Sequence, residues 1–178
     1  MNIGKRENIS TINEYETQLS GLYEEYYDKI ARYVYVHIGN KEDAEDITGE
    51  VFLKALKSLN SYREQGVPMH GWLFRIAHNL TVDHLRKMDK RKTVQVDSVA
   101  LLAIDSPADT AEMNIEFERV IEAMNQLTVE QREVINLRFF GELTSKEVGC
   151  ILGKSDGAVR EMQRAAIEKL RGIMGVEK

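Results

Sequence analysis

The chain has 178 residues, of which 24 are Lys or Arg and 29 are Asp or Glu, so its formal net charge is −5. This length allows one domain or two small ones. A single cysteine excludes an internal disulfide framework, and 7% aromatic residues with only two Pro and 12 Gly argue against collagen-like and disordered chains. No apolar stretch reaches the roughly 18 residues that a membrane span needs, and the N-terminus lacks the apolar run of a signal peptide. We therefore expect a cytoplasmic protein.

The charges are segregated along the chain. Residues 1–66 carry 8 basic and 12 acidic groups, residues 67–96 carry 6 and 2, residues 97–133 carry 2 and 9, and residues 134–178 carry 8 and 6. Nucleic-acid binding depends on a local basic cluster rather than on the net charge. Such a cluster is present in the second of these segments: Arg86, Lys87, Lys90, Arg91 and Lys92.

Helical periodicity predicts an all-α fold of two small helical domains. In the first domain, apolar residues at spacings of three and four predict a long helix over 19–34. Asn40 then caps a second helix, whose outer face has an acidic half followed by a basic half. A loop over 60–71 precedes a third helix, from Trp72 to about Lys87.

A flexible acidic linker is predicted between the domains, because residues 93–118 contain several acidic residues and no Lys or Arg. A tether over 89–115 would reach roughly 90 Å if it were fully extended, so the two domains can lie well apart. The apolar run 99–104, VALLAI, is unusual for a solvated tether. This apolar run favours a docking contact with another surface.

A helix-turn-helix is predicted in the second domain. Thr144 caps a short helix with Glu147 at the capping-box position, Gly153 ends that helix, and Ser155 caps the next one. Two short helices joined by a turn with Gly fit a helix-turn-helix, whose second helix enters the DNA major groove. The alternative is a solvated helix of a small bundle. The candidate DNA contacts are Ser155, Asp156, Gly157, Arg160, Glu161, Gln163 and Arg164.

The third helix and the loop before it form a second candidate DNA interface. Aromatic rings together with cationic groups are the chemistry that holds unpaired bases. A charged, solvated helix face is the alternative. The candidate residues are Tyr62, Arg63, His70, Arg75, Asn79, Arg86, Lys87 and Lys90.

Three stretches of the chain together resemble the extracytoplasmic-function (ECF) class of bacterial RNA polymerase sigma factors, in the sigma-70 superfamily: DAEDITGEVFLKALKSL, GWLFRIAHNLTVDHLRK and LTVEQREVINLRFFGELTSKEVGCILGKSDGAVREMQRAAIEKLR. Their joint occurrence in this order is more specific than either half. The resemblance implies an N-terminal extension (1–18), sigma region 2 (19–88), the linker (89–115) and sigma region 4 (116–178).

The resemblance implies a protein that is not an enzyme but binds core RNA polymerase and directs promoter recognition and DNA melting. In this family region 2 binds the clamp helices of the polymerase β′ subunit and melts the minus-ten promoter element. Region 4 reads the minus-thirty-five element and contacts the β flap. Members are typically held inactive by an anti-sigma factor, which implies control by stress or another signal. The alternative is a stand-alone helix-turn-helix regulator that binds DNA as a dimer.

The resemblance also assigns roles to single residues. Asn79 falls where relatives hold a flipped non-template base, with the 60–71 loop forming the pocket. Arg160 and Arg164 fall on the face that reads the minus-thirty-five element. The acidic half of the second helix becomes the polymerase contact: Asp43, Asp46 and Glu50.

Two positions depart from the family pattern. Gly49 stands where relatives usually have Gln, which removes a polymerase contact and costs the helix about 1 kcal/mol relative to Ala. Ala165 replaces a common basic residue, which implies fewer phosphate contacts.

Other signals favour structural roles, and we expect no catalytic, cofactor-binding or metal-binding residues. His78 and His84 are six positions apart and do not share a helix face, and His37 and His70 have no partner in the sequence. Cys150 is expected to be a small core residue.

Overall fold

The computed structural model describes residues 3–63, 67–92, 119–120 and 122–175, with side chains from Glu14 onwards in the first helix and up to Asp89 in the third. Every regular element in these ranges is helical, which confirms the all-α prediction. The apolar run 99–104 and most of the predicted linker lie outside the described residues. The elements are α1 (Ile3–Ile38), α2 (Lys41–Ser58), a 3-10 helix (Leu59–Ser61), α3 (Met69–Lys92), α4 (Val129–Phe139), α5 (Ser145–Leu152) and α6 (Asp156–Met174), with residues 119–120 and 122–124 also helical.

The first bundle consists of α1, α2 and α3, which pack pairwise around one apolar core. Gly39, with φ of 73°, ends α1, and the Asn40 side chain accepts a hydrogen bond from the Asp43 amide at 3.0 Å to begin α2. A glycine in the left-handed backbone conformation, followed directly by a polar N-cap residue, makes a tight turn between two helices. The largest fully buried side chains of this bundle are Ile30, Tyr33, Val34, Val51, Leu73 and Phe74.

Two helix boundaries differ from the sequence-based expectation. The helix α1 begins at Ile3, so it includes residues expected to form an N-terminal extension, and its Tyr15 ring packs edge-on against Tyr62 with centroids 5.2 Å apart. The helix α3 begins at Met69, because the Pro68 carbonyl already accepts a hydrogen bond from the Trp72 amide at 3.1 Å. Proline suits a helix start, where its missing N–H is not needed.

The second bundle consists of residues 119–120 and 122–124 with α4, α5 and α6, and its helix starts are capped as the sequence predicts. Thr128 forms a capping box with Gln131, Thr144 forms one with Glu147, and the Ser155 hydroxyl accepts from the Ala158 amide. The core of this bundle is small, with Met124, Leu127, Ile135 and Ala166 at its centre.

The two bundles pack against each other. The helix α4 contacts α1, and α5 contacts α3. Apolar side chains of the second bundle join the core of the first: Val134, Leu137, Leu143, Val148 and Val159. Helix α4 is apolar on two sides, since Ile135 enters its own core while Val134 and Leu137 face the first bundle. The linker is long enough to let the two bundles separate. Burial of this second apolar side of α4 favours contact between them.

Candidate nucleic-acid and polymerase interfaces

The outer face of α2 combines acidic groups with exposed leucines. Asp46 and Glu50 are exposed, whereas Asp43 is half-buried. On the same stretch of helix, Leu53 and Leu56 expose 58% and 51% of their surface. Helical spacing would place Leu56 on the buried apolar stripe of α2 with Val51 and Phe52, so its exposure departs from the prediction that periodicity makes. Leu53 lies three residues after the exposed Glu50, and this spacing alone places both side chains on the same, outer face of α2.

One face of α3 presents polar groups to solvent, as expected. Arg75 and Asn79 are exposed one helical turn apart, and Arg86 and Lys87 are exposed further along. Arg86 lies 3.8 Å from Asp83, a weak surface contact. The Lys90 side chain lies outside the described residues. The exposed part of this face therefore carries hydrogen-bonding and cationic groups together.

The candidates before and at the start of α3 are less accessible than the sequence suggested. Tyr62 is 95% buried between the rings of Tyr15 and Trp72, because α1 extends far enough to cover it. The Arg63 guanidinium donates to the backbone carbonyls of residues 60 and 62. His70 stacks on Tyr26 with centroids 5.4 Å apart. None of these rings is free to stack on a base in this arrangement.

A cleft of about 310 Å³ lies between the bundles next to these residues. Cys150, expected in the core, is exposed and lines this cleft, because its face of the short helix α5 points toward the start of α3. Arg75 lines the same cleft from the first bundle. The other lining residues are Tyr62, Arg63, Val67, Trp72 and Ile151.

The helix-turn-helix holds its second helix, α6, through a close backbone contact. A Cβ added at Gly149 would lie 2.5 Å from the Lys154 carbonyl oxygen, so no larger residue fits there without movement. The Lys154 amide donates to the Gly149 carbonyl at 2.9 Å. Gly153, with φ of 66°, makes the turn. The angle between α5 and α6 is therefore fixed by backbone packing.

The outer face of α6 is charged and mostly paired within itself. Arg164 donates to Glu161 at 2.9 Å, and Arg160 is paired with Asp156 one turn earlier. Asp156 also accepts from the Ser145 hydroxyl at 2.5 Å, so it ties α6 to α5. The exposed fractions of the Arg160 and Arg164 side chains are 66% and 73%. Exposed pairs of this kind are weak and exchange readily for a phosphate or a base.

The remaining candidates on α6 divide into exposed and structural positions. Ser155 and Gly157 are exposed at the helix start. Gln163 is half-buried, and its side-chain oxygen accepts from Arg138 Nε at 2.9 Å. It therefore links α6 to α4 rather than facing outward, a contact that helical spacing alone does not predict.

A buried acid between the bundles was not found from the sequence. Glu133 of α4 lies among three side chains of the first bundle. Its Oε2 is 2.6 Å from His37 Nε2, and its Oε1 is 2.9 Å from His78 Nδ1 and accepts from the Tyr33 hydroxyl at 2.5 Å. His70 likewise lies 3.4 Å from Glu147 of α5. His37 and His70, expected to lack partners, thus face acids 96 and 77 positions away, a separation at which sequence gives no signal.

His37 contacts an oxygen on each side of its ring. Its Nδ1 lies 2.7 Å from the Tyr33 carbonyl oxygen, and its Nε2 lies 2.6 Å from Glu133 Oε2. Burial alone would raise the pKa of Glu133, but hydrogen bonds from His37 and His78 outweigh it and hold that pKa well below its ordinary value. Burial, together with the Glu133 charge, raises the pKa of Tyr33. The surroundings of Glu133 therefore favour its ionised form.

Two further observations concern what the described residues do not contain. Within the described ranges, no group of three or more His, Cys, Asp or Glu side chains is arranged to hold a metal ion. Over the same ranges, no helix has the length and apolar character required to cross a membrane.

Comparison with known proteins identifies the family. Family models match in two places: Sigma-70 region 2 over residues 22–91 and Sigma-70, region 4 over residues 123–172. The ECF RNA polymerase sigma factor SigW of Bacillus subtilis is 30% identical over 158 residues, which cover 82% of this chain and 83% of SigW. The chain belongs to the ECF class of RNA polymerase sigma factors. 

Other relatives are similar to this chain, and a solved structure has the same fold. The ECF sigma factor BldN of Streptomyces coelicolor is 32% identical over 86% of this sigma factor, which spans 59% of the length of BldN. SigM of Bacillus subtilis is 28% identical over 85% of this chain and 92% of its own. The sigma factor RpoE of Bartonella quintana, solved with the anti-sigma factor NepR, has the same fold, with a TM-score of 0.72 and 20% identity over 90% of this chain and 99% of that one.

Proposed function

We propose that this sigma factor binds core RNA polymerase through α2, holds the melted minus-ten element on α3, and reads the minus-thirty-five element with α6. The observation that carries the proposal is the helix-turn-helix, whose rigidly seated second helix exposes Arg160 and Arg164. An exposed arginine pair on such a helix provides two-bonded contacts to guanine or phosphate. The polymerase supplies all the covalent chemistry, so the sigma factor needs no catalytic residue of its own.

The contact with polymerase is proposed to combine charge with apolar burial. Asp46 and Glu50 are exposed beside Leu53 and Leu56, and an apolar centre with a charged border is typical of stable protein–protein contacts. Asp43 is half-buried, and its backbone amide donates to the Asn40 cap, so it contributes at the edge of this surface. We assign the surface to the β′ clamp helices, as the resemblance implies, and the second bundle to the β flap.

The contact with the minus-ten element is proposed to involve Arg75, Asn79, Arg86 and Lys87. They lie exposed along α3, where the cations neutralise phosphates and the Asn79 amide hydrogen-bonds the edge of a flipped base. Unstacking a base costs a few kcal/mol, which such contacts return in part. Tyr62 and His70 join this surface only after the residues that cover them move.

Control by an anti-sigma factor and action in the cytoplasm complete the proposal. The structures of RpoE and of CnrH, both with the same fold as this chain, were solved with the anti-sigma factor NepR and with the cytosolic domain of CnrY, respectively. We propose that an anti-sigma factor likewise binds this chain and holds it inactive. The promoter DNA and the polymerase that it serves lie in the cytoplasm.

Run-off transcription with core polymerase and a library of upstream DNA regions tests the function. We expect specific transcripts only when both proteins are present, and loss of those transcripts when Asn79 is replaced by Ala. A protein that gives a footprint on duplex DNA without core polymerase, as a dimer over a two-fold site, would instead be a stand-alone regulator. Failure to associate with core polymerase at low salt would contradict the proposal.

A further inference from the structure

The second bundle contains an open apolar groove. The groove has a volume of about 310 Å³ and lies between α4, α6 and the helical residues before α4. Its lining is apolar apart from Arg171, and Phe139 exposes 57% of its surface there. A cavity of about 150 Å³ with such a lining can hold one benzene ring, so this groove has room for about two side chains of leucine size. An exposed apolar surface of this kind indicates a binding site.

The chain itself contains a segment that matches this groove. The run 99–104, VALLAI, consists of consecutive apolar residues and is flanked by Asp97 and Asp105. A solvated tether gains nothing from such a run, whereas burial in an apolar groove stabilises it. The flanking acids also suit the site, because Arg171 is the charged residue of its lining. Apolar character and opposite charge together favour this segment as the occupant.

The connection from the run to the second bundle is short. Residues 105–118 join the run to Arg119, and the next residue, Val120, already lines the groove. A connection of this length spans at most about 50 Å, which is enough to reach any part of the groove. Short flexible tethers give a segment an effective concentration in the millimolar range. A millimolar affinity therefore suffices to keep the run docked for about half of the time.

The connection from the first bundle also permits this contact. Val36, near the end of α1, packs against the core of the second bundle. His84 Nε2 of α3 lies 3.9 Å from Asp43 Oδ2, at the start of α2, which follows the end of α1. Lys92, where α3 ends, is eight residues or about 12 Å of helix beyond His84, and residues 93–98 add up to about 20 Å. The run can therefore reach the groove while the two bundles stay packed.

We propose that the apolar run 99–104 docks in the groove of the second bundle in the free protein. The docking is a property of the isolated chain. Its consequence rests on the proposed function, in which the second bundle contacts polymerase: the run then competes with any apolar segment of polymerase for the same groove. A run that is docked for about half of the time weakens this contact about twofold.

The test follows methionine methyl signals by NMR in the full chain. Met174 lines the groove, whereas Met69 is buried in the core of the first bundle and serves as an internal reference. The double variant Leu101→Ser with Leu102→Ser should shift the Met174 signal and leave the Met69 signal in place. In a titration with core polymerase, this variant should bind about twofold more tightly than the unaltered chain.

A matched control and a peptide separate direct docking from other effects of the substitutions. Val94→Ser with Val96→Ser removes apolar side chains from the same linker outside the run, and should leave Met174 unshifted. A synthetic peptide of residues 97–106, added to the double leucine variant, should move the Met174 signal back, with half of the effect in the millimolar range. The same peptide with both leucine substitutions should have no effect.

Other outcomes separate the docking from the function. An unshifted Met174 signal in the double leucine variant, an equal shift in the valine control, or a peptide without effect would overturn the docking. A Met174 signal that changes with protein concentration would show a second copy of the chain in the groove and overturn it too. A shift with unchanged polymerase affinity would overturn the competition alone. If neither protein associates with core polymerase, the proposed function fails, whereas the docking stands on the methyl signals.

Discussion

His37 Nε2 lies 2.6 Å from Glu133 Oε2, across the boundary between the two bundles and 96 positions along the chain. The pair joins α1 to α4, and His78 adds α3 to the same carboxylate at 2.9 Å. One acid thus connects both bundles of the sigma factor at a buried point. Its protonation state is therefore tied to the distance between them.

Acid should open the protein. The pKa of Glu133 is lowered by His37, His78 and Tyr33 when the bundles are closed, whereas a separated Glu133 would titrate near 4.5. The ionised form therefore stabilises the closed state fully above that pH, and this contribution is lost as the pH falls below it. Scattering from about pH 6 down to about pH 3.5 should show expansion below the ordinary Glu value. Glu133→Gln should be expanded throughout, and a step of equal size in that variant would show that other carboxylates are responsible.

Gly49→Ala should stabilise the first bundle. A Cβ at this position meets no atom within 4 Å, and Ala is favoured over Gly inside a helix by about 1 kcal/mol. Thermal unfolding should show the gain as a higher midpoint. A lower midpoint would mean that α2 needs the small residue for a reason that its surroundings do not show.

Gly149→Ala should have the opposite effect. The new methyl group would lie 2.5 Å from the Lys154 carbonyl oxygen, so either the turn or α6 must move, at a cost of roughly 1 to 3 kcal/mol. We expect a lower unfolding midpoint and weaker promoter binding with core polymerase. Since the chemical change matches that in Gly49→Ala, an equal effect of the two substitutions would reject the close packing at the turn.

Arg164→Ala should weaken promoter binding by the polymerase complex. Its side chain is 73% exposed and pairs with Glu161 on the same helix, so its loss should not disturb the fold. If it contacts phosphate, the slope of the logarithm of affinity against the logarithm of salt concentration should fall by about one. Arg171→Ala, an exposed position in the last turn of the same helix, is the control. Equal slopes for Arg164→Ala and the unaltered protein, with equal affinity, would remove this residue from the interface.

Leu53→Ala should weaken association with core polymerase without destabilising the protein. The side chain is 58% exposed, so its truncation leaves no cavity, whereas loss of a central apolar contact in an interface costs ~1 kcal/mol or more. Titration of labelled sigma factor with core polymerase should show about fivefold weaker binding. Val129→Ala, which is 80% exposed on α4, should bind as the unaltered chain does. Comparable losses in both variants would indicate a general surface effect rather than a contact on α2.

The sequence predicted local features better than contacts between bundles. Caps and periodicity placed the helix-turn-helix correctly, because Thr144, Gly153 and Ser155 act on their own neighbours in the chain. The exposure of Leu53 and Leu56 depends on how three helices share one core, which periodicity within a single helix does not determine. Glu133 was not identified as buried, because its partners lie on α1 and α3, far away along the chain.

The backbone contact at Gly149 limits how this protein can change its preferred DNA sequence. Because the turn packs directly against Gly149, α6 cannot tilt to take a different position in the DNA groove. New specificity must then come from exchanging side chains on an unmoved helix, one base contact at a time. Variation in target choice among chains that keep this glycine should be concentrated at their counterparts of Arg160 and Arg164.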